Sequence, residues 1–229
     1  VRQDPSASLV ADIPEAQPPA SPDYEPLTAP QRVVLLLVLG TLGLLVTEHF
    51  ASGSLLEQLS FWERLQASLF QSITSRTAGF NTIQLSSSTI SDAGLLLLMA
   101  LMFVGASPGG TGGGIKTTTL VVLLSAIPAI ASGHRRVVLL RRTISLETVF
   151  RSTAIAVVAG LAIFLGTAAL MMLQSQPSGQ LAFETVSAFG TVGLSLGATP
   201  HLETPAKLVV VLLMIAGRIG PLSLALLFG

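Results

Sequence analysis

Phe189-Gly190-Thr191-Val192-Gly193-Leu194-Ser195 follows a short apolar stretch, and Thr77-Ala78-Gly79-Phe80-Asn81 follows a short amphipathic one. Thr77 and Thr191 stand 114 positions apart, and so do Gly79 and Gly193. A shared offset between two Thr-x-Gly loops, each behind a short amphipathic stretch, marks an internal repeat; two coincidental turns are the alternative. The stretch before the first loop, 60–76, carries Glu63, Arg64, Gln66 and Gln71 and is too polar to face lipid. It is also too apolar for a loop. A half-buried, re-entrant helix meets both conditions, because irregular backbone at membrane depth is tolerated only where protein buries it or a wet cavity lines it.

Outward from the two loops lie apolar runs. Val33 to Ala51 has about the length that spans a hydrocarbon core, and Ser152 to Leu173 and Lys207 to Phe228 have the same character. Ala93 to Val104 and Leu120 to Ala131 are apolar too, but between them runs Gly105-Ala-Ser-Pro-Gly-Gly-Thr-Gly-Gly-Gly-Ile-Lys-Thr-Thr-Thr119. Glycine and proline are the poorest helix formers, so a single helix is expected to break there, near the middle of the bilayer. The fold class predicted is an all-α integral membrane protein built of two helix–pore loop–helix repeats, 32–133 and 152–229. A basic loop, 134–151, joins them. Composition agrees: half the residues are hydrophobic and a tenth are charged, against about 25% charged in soluble domains. Mean hydropathy is +0.73.

Residues 1–31 differ from the rest. Seven prolines and five acidic residues leave too little apolar surface to offset chain entropy. The segment is expected to be a disordered acidic tail or inter-domain linker, with a partner-binding motif as the alternative. The chain opens on Val1 with no basic and apolar leader pattern, so no signal peptide is expected and a preceding segment is. Net charge is zero, which offers no general field for nucleic acid, and there is no cysteine for disulfides or thiolate metal sites. His134, Arg135, Arg136, Arg141, Arg142 and Arg151 concentrate positive charge in one connector, which the positive-inside rule places in the cytoplasm. The acidic tail and the C-terminus then fall on the same side of the cell membrane.

Thr-Val-Gly-Leu-Ser is close to the Thr-Val-Gly-Tyr-Gly loop with which potassium channels replace an ion's hydration shell by backbone carbonyls. Glycine permits the dihedrals that turn carbonyls inward, and a preceding short helix aims its negative end at a cation. Gln71 to Asn81, Phe103 to Thr119, Phe189 to Ser195 and Gly217-Arg-Ile-Gly-Pro221 together resemble the Trk/Ktr/HKT superfamily of potassium transporters, most nearly a bacterial Ktr-type membrane subunit. The resemblance covers roughly residues 31–229 and sets the two repeats beside the third and fourth of a four-repeat pore. It implies a filter at Thr77, Ala78, Gly79, Phe80, Gly190, Thr191, Val192 and Gly193 that holds potassium. It implies a gate loop with Gly105, Pro108, Gly109, Gly110, Gly112, Gly113, Gly114 and Lys116, and a pore-modulating Arg218. It further implies sodium as a coupling or activating ion, a cytoplasmic nucleotide-binding regulatory subunit, an oligomer, and a missing half of the pore supplied by other repeats or a second chain. No enzymatic activity is expected.

Other readings compete. The glycine-rich stretch could be a static unwound segment that lets helices pack. It is not a nucleotide P-loop, since Ile115 precedes Lys116 and an apolar helix, not a strand, precedes the loop. Lys116 and Arg218 are intramembrane charges, functional by default, with backbone anchoring as the alternative. Arg76 is expected to brace the first loop by hydrogen bonds and Glu184 to face the outer vestibule. Glu48, His49, His201 and Glu203 read as interfacial surface and Trp62 as an interfacial anchor. A secondary transporter of another solute would favour intramembrane carboxylates, whereas the acidic residues here lie near helix ends or in loops. A non-conducting assembly subunit would have no need of two intact loops.

Overall fold

The computed structural model describes residues 29–51, 59–86, 89–105, 112–132, 137–139 and 142–219. Most of the acidic tail, the gate-loop residues Pro108, Gly109 and Gly110, the cluster His134–Arg136 with Arg141, and the chain from Gly220 onward lie outside them.

Seven helices carry the described fold: α1 (Ala29–Phe50), α2 (Phe61–Thr74), α3 (Asp92–Phe103), α4 (Thr117–Ala131), α5 (Leu146–Leu173), α6 (Ser178–Phe189) and α7 (Thr204–Ile219). Their starts follow local rules. Ser60 and Glu63 form a capping box at α2, in which the Glu63 carboxylate accepts the Ser60 N–H at 3.0 Å. Ser91 accepts the Gly94 N–H at 3.0 Å to open α3, and Ser145 accepts the Thr148 N–H at 3.3 Å to open α5. Helix α4 begins straight after the glycine-rich stretch and ends beyond Pro128.

α1 and α5 are long and apolar enough to cross a membrane. Their outer faces bear Leu35, Leu39, Leu42 and Val46, and Val157, Leu161, Phe164 and Leu165. The interior, by contrast, holds Ser68, Gln71, Ser72, Thr74, Thr117, Glu184, Thr185 and Ser187. These polar side chains sit beside an apolar core, and the apolar outer faces of the long helices suit lipid as solvent.

The short helices α2 and α6 sit inside this frame. α1 packs on α2 and α3, and α6 packs on α5 and α7. α3 against α6 and α4 against α5 join the two halves, the first through a core of Leu44, Leu98, Met102, Phe183, Val186, Val192 and Leu194.

Two expectations are corrected. The chain is not wholly α: Val137–Leu139 (β1) and Arg142–Ile144 (β2) pair antiparallel, with Val138 opposite Thr143. Both segments hold β-branched residues, which fit a pleated surface, and the ladder satisfies backbone that a plain loop would leave to water. Helix α5 starts at Leu146, where Ser145 caps it.

Glu48 is the second correction. It is fully buried, not interfacial surface. Its carboxylate accepts the Ser91 N–H at 3.1 Å and the Ser91 hydroxyl at 2.7 Å, so the end of α1 is tied to the start of α3. A carboxylate at a helix N-terminus is also favoured by the helix dipole. Glu48→Ala leaves the half-buried Ser91 donors without their acceptor and is expected to cost about 1 kcal/mol or more, read as a lowered Tm in detergent. His49, His201 and Glu203 are exposed.

Candidate functional site

α2 and α6 each end where a Thr-x-Gly loop begins, and the two loops meet. In each, the first and third residues take the left-handed region: Thr77 at φ 69° and Gly79 at 75°, Thr191 at 52° and Gly193 at 94°. For a threonine this costs roughly 1–2 kcal/mol, so the surroundings hold it there. The holding bonds run back to the helix. Ala78 and Gly79 donate their N–H groups to the Thr74 carbonyl at 3.2 and 3.3 Å. Thr191 donates to the Ala188 carbonyl at 3.0 Å and Val192 to that of Ser187 at 2.9 Å. No hydrogen bond among the described residues takes the carbonyls of Thr77, Ala78, Gly79, Thr191, Val192 or Gly193.

The loops approach so closely that a Cβ on Gly79 would overlap the Val192 carbonyl oxygen. Each is also tied on its far side. Thr74 Oγ1 donates to the Phe80 carbonyl at 2.6 Å. At the second loop, the Glu184 carboxylate accepts the Ser195 hydroxyl and, at 2.7 Å, the Thr199 hydroxyl. Glu184 is buried and lines a cavity of about 280 Å³ with Ser187, Thr191, Val192 and Gly193.

The glycine-rich stretch closes on itself at a neck. Gly105 N–H donates to the Ile115 carbonyl at 2.9 Å, and Ile115 N–H donates to the Phe103 carbonyl at 3.1 Å. A Cβ on Gly105 would overlap the Gly113 carbonyl. Beyond the neck, Gly113 N–H donates to Thr191 Oγ1 at 3.0 Å, so the described end of this stretch rests on the second loop. Lys116 Nζ donates to the Gly112 carbonyl at 3.2 Å. Gly114 takes φ 75°.

The helices close around the loops through further glycines. Gly190 lies against the Met102 carbonyl, and a Cβ there would be 2.7 Å from it. Gly217 of α7 abuts the Phe189 carbonyl at the end of α6. Arg218, next to it, is exposed.

The bracing expected of Arg76 is absent: its Nε and Nη2 are buried with no hydrogen-bond partner among the described residues, as are both side-chain polar atoms of Gln71. Thr74 braces instead. Sequence reasoning passed over Thr74, Ser195 and Thr199; hydroxyls within a few residues of a Gly-centred loop were the available signal.

The family model of TrkH, a cation transport protein, matches residues 27–229. The chain belongs to this family. Among TrkH-family relatives, the Ktr system potassium uptake protein B of Bacillus subtilis is 37% identical over 195 residues, which are 85% of this chain and 43% of that protein. The potassium/sodium uptake protein NtpJ of Enterococcus hirae is 39% identical over 193 residues, 81% of this chain and 41% of that protein. The chain thus spans less than half the length of these curated relatives. The crystal structure of the potassium transporter TrkH from Vibrio parahaemolyticus aligns with a TM-score of 0.67 at 20% identity, over 86% of this chain and 42% of that one. The shared fold is therefore that of a mostly helical TrkH-family membrane protein.

Proposed function

We propose that this chain supplies two pore loops of a potassium-uptake protein in the cell membrane, and that residues 77–80 and 190–193 form half of its selectivity filter. The carrying observation is the pair of touching loops with left-handed residues at alternate positions and unused carbonyls. In an extended strand successive carbonyls point to opposite sides. Switching alternate residues to the left-handed region turns them to one side, which is what a dehydrated cation requires. The N–H groups are meanwhile spent on the ends of α2 and α6, whose negative ends favour a cation nearby.

On this reading each half of the chain is a helix–pore loop–helix repeat, corresponding to the third and fourth repeats of a four-repeat pore. The other loops come from further repeats or a second chain. The stretch from Gly105 to Thr119 acts as the gate beneath the filter. Its seat on Thr191 supports that role, and Arg218 stands on the helix that flanks it. The basic connector and the C-terminus face the cytoplasm, where a nucleotide-binding regulatory subunit acts on an oligomer. Potassium is the cargo; the name of the Enterococcus relative supports sodium as a second ion. The chain is not an enzyme.

The test is radiolabelled rubidium uptake by the full protein carrying this chain, in cells without other potassium uptake. Uptake should be competed by potassium at far lower concentrations than by sodium, and Gly193→Asp should reduce it to background, because a carboxylate at φ 94° disrupts the carbonyl array. Unchanged uptake in Gly193→Asp sinks the filter assignment.

A further inference from the structure

We propose that Glu184 is a positioning residue that sets ion discrimination, by strapping the exit of the second loop to α6 through Ser195 and Thr199. The inference rests on the filter reading above. Glu184 lies two turns before Thr191 on α6, and only 6% of it is exposed. A buried carboxylate is costly unless its oxygens are hydrogen-bonded. Here each oxygen has a hydroxyl donor: Ser195 on one, Thr199 on the other at 2.7 Å. Both donors lie on the far side of Gly193, so the loop is pinned at both ends to the same helix. Its entry is held by the N–H groups of Thr191 and Val192, and its exit by the carboxylate.

The hydroxyls are themselves fixed. Ser195 Oγ accepts the Gly197 N–H at 2.9 Å and stands 3.2 Å from Thr199 Oγ1. Gly197, at φ 89°, makes the turn that brings Thr199 back toward α6. Four groups therefore share one network, and the carboxylate is its acceptor.

The first loop solves the same problem with different atoms. At the position of the repeat that matches Glu184 stands Phe70, which cannot accept a hydrogen bond. The tie there is Thr74 Oγ1 on the Phe80 carbonyl, at 2.6 Å. Two unlike straps at one place in two related loops indicate that the exit of each loop must be held. A smaller cation such as sodium needs carbonyls to move inward to replace its water, so a strap that resists this movement favours the larger ion.

The experiment compares Glu184→Gln, Glu184→Asp, the double variant S195A/T199V, and all three substitutions combined (E184Q with S195A/T199V). Each is made in the full protein, and the ratio of potassium to sodium needed to halve rubidium uptake is read. A strap predicts that S195A/T199V, which leaves the carboxylate in place, shifts this ratio toward sodium by about tenfold, or about 1.4 kcal/mol of discrimination. Glu184→Gln should do the same. The combined variant should lose much less than the sum of the two effects, because both act on the same network. Glu184→Asp, which keeps two acceptor oxygens, should restore part of the ratio. An unchanged ratio in S195A/T199V overturns the proposal, whatever Glu184→Gln does, since Glu184 would then act through charge alone. Should Glu184→Gln fail to fold, the hydroxyl variants, at half-buried Ser195 and exposed Thr199, still decide. Failure of the filter reading looks different: the unsubstituted protein takes up no rubidium that potassium competes for.

Discussion

Gly79→Ala is expected to cut potassium-competed rubidium uptake by at least about tenfold, more than 1.4 kcal/mol at the conduction step. Two costs coincide at this residue. Alanine at φ 75° pays the left-handed penalty of roughly 1–2 kcal/mol. Its methyl group would also overlap the Val192 carbonyl oxygen, which belongs to the neighbouring loop and is one of the groups proposed to hold the ion. Neither partner is a flexible side chain. Relief must come from rotating the Val192 peptide or parting the two loops, and either movement redirects carbonyls. Ala78→Gly, one position earlier, meets no such barrier and serves as the control. If Gly79→Ala transports and discriminates like the unsubstituted protein, the contact between the loops does not shape the conduction path.

Gly217→Ala is expected to destabilise the protein by about 3 kcal/mol, measured as loss of Tm and of folded protein in detergent. Its Cβ would overlap the Phe189 carbonyl, carbon as well as oxygen, so α7 must back away from the end of α6. Gly166→Ala offers the comparison. There the new methyl would meet the Leu213 methyls at 2.7 and 2.9 Å and Thr185 Cγ2 at 3.1 Å, which are ends of side chains. Leu213 can change rotamer, so the loss at Gly166 should be clearly smaller. Equal losses at the two positions would mean that helix packing here yields as readily as a side chain does.

The paired loops were legible because chemistry restricted to few residue types left a fixed spacing, 114 positions in both the threonine and the glycine. The apolar runs of α1 and α5 were legible for a similarly blunt reason, since lipid permits little else over that length. What escaped prediction depended on partners far apart in sequence. Glu48 follows an apolar run and looks like the wet end of a span; only the start of α3, 43 residues on, makes it a buried cap. Arg76 sits beside the first loop, yet adjacency says nothing about where a guanidinium can reach, and Thr74 does the bracing. The hairpin between Val137 and Ile144 was hidden by its charges, which suggested a solvated loop. Left-handed threonines at 77 and 191 run against residue preference, so no propensity argument could have placed them.

The neck formed by Gly105 and Ile115 has a consequence for chain length. Two backbone hydrogen bonds and the pairing of Val104 with Ile115 fix where the chain leaves α3 and where it enters α4. The number of residues spent between those points is thereby uncoupled from the positions of both helices. Residues gained or lost inside the neck leave both helix ends where they are. A single residue inserted between Ile115 and Thr117 would instead rotate all of α4 by about 100° about its axis. One side of the neck is therefore open to variation in length, and the other is held to a fixed register.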